Sequence, residues 1–320
     1  MSRVLLCFPA QATLGRQLAG LLQARYREVA WRQFPDGESL VAIDEDLREA
    51  DVAILASLHR PDALALPLRF AAETAREFGA RSVGLLAPYL GYLRQDARFN
   101  PGEAVSAPLF ARFLEGSFDW LATVDPHVHR IPALGELFAI PVRNVAAAPA
   151  IAAWIRADHD RVGEVGPDSE SRQWVDDVAR LAGVPGQVLD KVRRGDREVE
   201  VSLPDAAAAR GRTPVLVDDM VSTGHTMLAT LAHLRALGLP PATCVATHAV
   251  FADDACEQLL ANGAARVIST DTIPHATNAI GIGALLAAGA QALFGDVDMG
   301  PDSDAAAGAA EWFDGGEPTP

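Results

Sequence analysis

Short apolar runs alternate along the chain with longer stretches whose apolar residues recur at every third or fourth position. Val4–Phe8 is the first run, and Leu14–Leu22 then sets Leu14, Leu18, Leu21 and Leu22 on one helical stripe. Val29–Phe34 returns to strand character and breaks at Pro35-Asp-Gly37. Glu38–Ile43 and Asp51–Ala56 are the next candidate strands. Asp62–Phe78 reads as a long helix, with Leu64, Leu68, Ala71 and Ala75 at turn spacing and Gly79 as its stop. Ser82–Ala87 is a strand leading into Pro88-Tyr-Leu-Gly-Tyr-Leu-Arg-Gln-Asp96. A helix over Ala104–Leu114 precedes Trp120–Val124 and the turn Asp125-Pro-His127.

The rhythm then begins a second time. Ala148–Ile155 is helical, Val162–Val165 extended, Arg172–Leu181 helical and Gly186–Leu189 extended. A strand at Pro214–Val217, a helix from near Thr226 to Leu237, a strand at Thr243–His248, a helix at Asp253–Asn262 and a strand at Val267–Thr270 follow. This alternation predicts an α/β architecture of two domains with mostly parallel sheets, joined near residues 143–148. Ala279–Gly295 reads as a packed terminal helix. The last twenty residues, with three Pro, three Gly and several acids, read as a mobile tail.

Composition narrows the partners. With 320 residues and 49% hydrophobic content, the chain can bury one large core or two ordinary ones. Its formal charge of −15 argues against a general binder of nucleic-acid backbone, though not against a small phosphorylated ligand. Cys7, Cys244 and Cys256 lack metal-ligand spacing, and Cys7 and Cys244 read as buried thiols. The run before Pro9 is too short for a signal peptide, and no segment reads as a membrane span. Cytoplasm is the expected compartment.

Candidate chemistry centres on Val215-Leu-Val-Asp-Asp-Met-Val-Ser-Thr-Gly-His-Thr-Met227. A buried strand, two acids at its carboxyl end and a turn opening a helix would put Asp218, Asp219 and Ser222–Thr226 where open α/β sheets bind ligands. Backbone N–H groups and a helix amino end suit a phosphate, and the acids suit a hydroxyl-rich or Mg²⁺-bound group. An ordinary capped turn uses the same residue types. Asp125 and His127 could meet a metal–nucleotide complex or form a plain turn. Arg94, Gln95 and Asp96 follow a strand, where Arg offers a donor fork for phosphate. Phe34, Asp36 and Glu38 offer an aromatic face and two acids at a tight turn. Lys191, Arg193 and Arg194 cluster in an acidic protein, either as a solvated face or as a loop closing over polyphosphate. Asp168 could accept ribose hydroxyls or cap the helix near Arg172.

Taken in order, these segments resemble the ribose-phosphate pyrophosphokinase family across about residues 3–295. The stretch Asp218–Thr226 is similar to the phosphoribosyl-pyrophosphate (PRPP) loop of type I phosphoribosyltransferases and PRPP synthetases, and Thr272-Ile-Pro274 is family-like too. The resemblance implies two type I phosphoribosyltransferase-like domains, at 1–145 for nucleotide and 146–298 for ribose phosphate, with a disordered tail at 299–320. It implies transfer of the β,γ-diphosphoryl group of ATP to ribose 5-phosphate, with Mg²⁺, giving PRPP and AMP. Phe34, Asp36, Glu38, Arg94, Gln95 and Asp96 then bind ATP. Asp168, Asp218, Asp219, Ser222, Thr223, Gly224, His225 and Thr226 bind the ribose phosphate. Asp125, His127 and Asp168 serve the metal, and Lys191, Arg193 and His127 are catalytic.

The chain also departs from the family pattern. Asp-Leu-His becomes Asp125-Pro-His127, Ser-Pro-Asp-x-Gly-Gly becomes Gly166-Pro-Asp-Ser-Glu-Ser171, and Thr-Gly-Gly-Thr becomes Thr223-Gly-His-Thr226. The basic segment after Asp96 is replaced by a stretch containing Asn100-Pro-Gly-Glu103. In the family that segment contributes to ATP binding, allosteric response and assembly. A homo-oligomer is expected from the resemblance, and this departure leaves open whether it is the usual hexamer and whether phosphate or ADP regulates it. Two alternatives stay open: the same transfer to another sugar phosphate or an ADP-ribose-like acceptor, and a non-catalytic regulatory homologue of a synthetase.

Overall fold

Asp51–Leu55 and Trp120–Val124 are buried at every position, as strands enclosed on both faces of a parallel sheet must be. The computed structural model describes residues 2–128, 131, 133–158, 162–166, 172–188, 190–194, 198–202 and 212–294. These fall into two units, one of residues 1–145 plus the segment from Gly283, the other of Ala146–Ile282.

The first unit runs β1 (Arg3–Cys7), α1 (Ala12–Leu22), β2 (Arg25–Glu28), β3 (Ala30–Gln33), β4 (Ser39–Ala42), β5 (Asp51–Leu55) and α2 (Pro61–Glu77). It continues with β6 (Ser82–Ala87), α3 (Ser106–Glu115), β7 (Trp120–Val124) and β8 (Val142–Val145). Six strands form one parallel sheet in the order β2-β1-β5-β6-β7-β8, while β3 and β4 pair antiparallel as a hairpin. The expected helix stripe on α2 is real: Leu64, Leu68, Ala71 and Ala75 are all buried.

The second unit has α4 (Ala148–Asp158), β9 (Val162–Gly166), α5 (Arg172–Ala182), β10 (Gly186–Val188), β11 (Asp190–Arg194) and β12 (Glu198–Ser202). Then come β13 (Thr213–Met220), α6 (His225–Ala236), β14 (Thr243–His248), α7 (Ala255–Ala261), β15 (Arg266–Thr270) and β16 (Asn278–Ile280). Its six-stranded sheet is again parallel, in the order β10-β9-β13-β14-β15-β16, and β11–β12 is an antiparallel hairpin. The order of connection repeats that of the first unit, down to a hairpin after the second strand.

Some expectations change. The segment Asp190–Asp196 was expected as a loop, yet Asp190–Arg194 is a strand whose register sets Lys191 opposite Val201 and Arg193 opposite Val199. The terminal helix α8 (Gly283–Gln291) was expected in the second domain; it packs on α1, β7 and β8 of the first unit. Just beyond it the Phe294 ring meets the edge of Trp120 at 5.1 Å, and the Arg3 guanidinium lies 5.1 Å from the Phe294 ring centre. Nothing in a run of Gly and Ala specifies which sheet it covers; the aromatic anchor that follows it does. Asp168, the turn Ser169-Glu170-Ser171, His129 and the tail lie outside the described residues. Burial pushes the Cys7 and Cys244 thiols up to about 12, which fits inert buried cysteines.

Trp120 has room only because its neighbour across the ladder is Gly84, where a Cβ would fall 1.9 Å from the indole. Gly84→Ala should destabilise the protein by about 1–3 kcal/mol through overpacking. Gly20→Ala, on α1 with nothing within 4 Å of the added carbon, should be neutral or stabilise by about 0.5–1 kcal/mol. Urea unfolding monitored by circular dichroism distinguishes the two. Equal stability of both variants would contradict this packing.

Candidate active site

In the second unit the sequence's central motif folds as expected, with Asp218 and Asp219 at the end of β13 and α6 starting at His225. Asp219 is buried, and its N–H donates to Asp218 Oδ1 at 3.1 Å. Gly224 precedes the helix in a left-handed conformation, φ +72°, which a glycine reaches without strain. Two strand-end bonds fix the approach: Val221 N–H donates to His248 O, and Ala252 N–H donates to Ser222 O at 3.1 Å. Among the described residues, the N–H groups of Ser222, Thr223, Gly224, His225 and Thr226 make no hydrogen bond. Five consecutive unpaired donors leading into a helix amino end make a concentrated anion site. Thr223 Oγ1 and His225 Nδ1 lie 3.1 Å apart, so the residue that departs from the family pattern engages a hydroxyl of the loop.

Beneath this loop is a buried polar network that the sequence did not reveal. Thr270 Oγ1 donates to Thr247 O at 2.6 Å and Thr272 Oγ1 to the same carbonyl at 2.9 Å. His248 Nδ1 lies 2.9 Å from Thr272 Oγ1. These side chains are 0–1% exposed, so each must be satisfied internally. The one available signal was a set of polar residues ending otherwise apolar strands. Beside them Asp271 Oδ1 accepts the Ile282 N–H at 2.8 Å.

In the first unit the sequence-derived residues form three groups. Phe34, Asp36 and Glu38 occupy the tip of the β3–β4 hairpin, closed by Phe34 N–H to Glu38 O at 2.7 Å. The Arg32 guanidinium lies 4.4 Å from the centre of the Phe34 ring, whose residue is 37% exposed. Asp36 and Glu38, though not Phe34, line a cleft of about 790 Å³ shared with Asp62, Leu66 and Phe70 of α2. A second group follows β6, where Arg94 is exposed, Gln95 half-buried and Asp96 buried. Asp125 and His127 form the third, at the end of β7. Asp125 is buried and left-handed at φ +32°, a strained setting for a side chain with a Cβ, and its N–H is tied to Val145 O at 3.1 Å.

Among the described residues no group of three or more His, Cys, Asp or Glu could hold a metal ion. Mg²⁺ asks for less, since it takes one or two carboxylates, several waters and substrate phosphates. The Asp125 carboxylate fits that role, while the His127 imidazole is a softer donor. Of Lys191 and Arg193 the structure describes the backbone register alone.

With this geometry the chain can be set beside known proteins. The profile of the N-terminal domain of ribose phosphate pyrophosphokinase matches residues 4–117, and that of the phosphoribosyl transferase domain matches residues 142–284. A ribose-phosphate pyrophosphokinase of Methanopyrus kandleri is 37% identical over 265 residues, covering 82% of this chain and 89% of the relative. The chain belongs to the ribose-phosphate pyrophosphokinase family. A second relative of that name, from Methanothermobacter thermautotrophicus, is 34% identical over 280 residues, 87% of this chain and 96% of its own. The crystal structure of phosphoribosylpyrophosphate synthetase from Mycobacterium smegmatis superposes with a TM-score of 0.78 at 28% identity, covering 92% of this chain and 99% of that one. Membership makes the chain an enzyme of the transferase class, with two phosphoribosyltransferase-type domains of mostly parallel sheet. Among the described residues no helix is long and apolar enough to cross a membrane.

Burial raises the Asp271 carboxyl above the usual carboxylate range, with the Ile282 N–H working against it. A raised folded-state value means that the folded protein holds this proton more tightly than the unfolded chain. The contribution to stability is therefore fully present below the ordinary aspartate range and lost as pH rises through the folded value. Asp271→Asn keeps an acceptor for Ile282 but cannot titrate. Its melting temperature should gain on wild type as pH rises above the ordinary aspartate range, and parallel pH profiles would contradict this account.

Proposed function

We propose that this enzyme transfers the β,γ-diphosphoryl group of ATP to the anomeric hydroxyl of ribose 5-phosphate, releasing AMP and forming PRPP. The observation that carries the reading is the row of five unpaired N–H groups from Ser222 to Thr226, a fitting receptor for the 5-phosphate. Ser222, Thr223 and Thr226 add hydroxyls, His225 adds an imidazole, and the paired acids Asp218 and Asp219 suit the ribose hydroxyls. Asp168 is the further residue proposed for the ribose hydroxyls.

ATP belongs to the first unit in this reading. Phe34, Asp36 and Glu38 take the base side, and Arg94, Gln95 and Asp96 contact the nucleotide. Asp125 would hold Mg²⁺ through a carboxylate oxygen, with His127 and Asp168 as the other residues proposed for it. Bound there, the ion would neutralise charge on the phosphate chain. Lys191 and Arg193 stabilise charge that develops as the bond to the α-phosphate oxygen breaks, and His127 orients the phosphates. No residue forms a covalent intermediate, so the rate rests on positioning and electrostatics. A homo-oligomer and a cytoplasmic location complete the proposal; exposed Leu66 and Phe70 on α2 and Leu109 on α3 support the former.

Phosphorus NMR of the full chain with ATP, Mg²⁺ and ribose 5-phosphate should show AMP and PRPP appearing in equal amount. ADP with a singly phosphorylated sugar would refute diphosphoryl transfer. AMP release with ADP-ribose but not with ribose 5-phosphate would overturn the acceptor alone. Lys191→Ala should lower kcat by about 10²–10³ while leaving ATP binding within several-fold. Arg94→Ala should weaken ATP about tenfold and spare ribose 5-phosphate, and Thr226→Ala should do the reverse. Calorimetry finding both ligands equally weakened in both variants would remove the division of labour.

A further inference from the structure

The turn that carries Gln95 is clamped by a carboxylate from the segment that departs from the family pattern. Glu103 Oε2 accepts from Gln95 Nε2 at 2.9 Å and from the Asn100 N–H at 3.0 Å. Its Oε1 accepts from Asn100 Nδ2 at 2.6 Å, and its carbonyl accepts from Arg98 Nε at 2.9 Å. The Asn100 side chain first, then the Asn100 and Gln95 donors together, hold the Glu103 carboxyl below the usual range. It therefore stays ionised at neutral pH and can only accept.

That restriction fixes the Gln95 amide. A glutamine can normally rotate its amide by half a turn and exchange oxygen for nitrogen. Facing an ionised carboxylate, Gln95 must present its NH₂, because the flipped form would set two acceptor oxygens against each other. Its Oε1 is turned away from Glu103, and among the described residues nothing donates to it. One N–H of the same amide also remains. The side chain thus offers an acceptor beside a donor, in one fixed order.

Purines differ in the order they require. A 6-amino purine presents a donor NH₂ beside a ring-nitrogen acceptor, whereas a 6-oxo purine presents an acceptor oxygen beside a ring N–H. We propose that Glu103 is a positioning residue that locks the Gln95 amide in the orientation matching a 6-amino purine nucleotide, so that the site selects ATP over its 6-oxo counterpart. The inference rests on the reading above that Gln95 contacts the nucleotide. It goes further in assigning the selectivity to a residue that touches Gln95 rather than the base.

The test is calorimetric binding of α,β-methylene ATP and the matching inosine analogue to the full chain. Wild type should prefer the adenine analogue by about tenfold or more. Glu103→Gln removes the charge but keeps the size, and either face of Gln95 can then pair with it. In that variant the ratio should fall at least severalfold, while ribose 5-phosphate affinity stays unchanged. Gln95→Met should bring the ratio close to one without touching Glu103. A purely structural clamp would weaken both analogues by the same factor, so an unchanged ratio in Glu103→Gln overturns the proposal. An unchanged ratio in Gln95→Met overturns it as well. Failure of wild type to bind either analogue would instead sink the nucleotide reading itself, and this inference with it.

Discussion

Five backbone N–H groups without partners, from Ser222 to Thr226, are the feature around which the second unit is arranged. Leaving donors unpaired is costly unless they face water or a ligand, and several local devices keep these in place. A left-handed glycine separates strand from helix, so the chain turns without consuming the donors. Carbonyls on the other side of the loop are tied down instead: Val221 O accepts from Phe251 N–H at 2.9 Å and Ser222 O from Ala252 N–H at 3.1 Å. His248 joins this scaffold twice. Its carbonyl takes the Val221 N–H, and its ring is held by Thr272. Fully satisfied buried networks of this kind rigidify what they touch, which keeps the donors spread for an anion.

The two units repeat one order of strands, and in each a hairpin follows the second strand of the sheet. In the first unit β3–β4 follows the edge strand β2, and in the second β11–β12 follows the edge strand β10. The first hairpin carries Phe34, Asp36 and Glu38, the second Lys191 and Arg193. One architectural position thus bears an aromatic and acidic tip in one copy and a basic strand in the other.

How much of this could be read from the sequence follows from where each signal resides. Buried parallel strands such as Asp51–Leu55 and Trp120–Val124 were legible because enclosure on both faces demands an unbroken apolar run. Arg25–Glu28, Val142–Val145 and Asn278–Ile280 were missed since an edge or three-residue strand is partly exposed and lacks that run. The local fold from Asp218 to Thr226 was legible because its residues are contiguous and form one strand end, turn and helix start. The contacts of Glu103, His248 and Thr272 were not, although Thr272 and Glu103 fall in segments the sequence singled out, because a contact between distant positions leaves no local pattern. Glu103 reads as one more acid in a polar loop until its contact with Gln95 is known. The basic strand Asp190–Arg194 reads as a loop in the sequence because a charge run outweighs its modest extended character.

The same repetition explains why only one of the two equivalent turns is suited to a phosphate. In each unit the third strand in sheet connection order enters a helix through a left-handed residue, Arg60 at φ +54° before α2 and Gly224 at φ +72° before α6. After Arg60 comes Pro61, which has no N–H to offer. Two earlier donors of that turn are spent on the neighbouring strand end, Ala56 N–H on Leu86 O at 3.0 Å and Leu58 N–H on Tyr89 O at 2.8 Å. The first unit has the same backbone route but uses its amides to hold the turn after β6, the one that carries Arg94 and Gln95. One backbone route thus serves as a brace where its amides have internal partners and stays open to an anion where they do not. On that reasoning, the capacity of such a fold to bind a phosphate is set less by strand order than by how many of its turn amides are left without an internal acceptor.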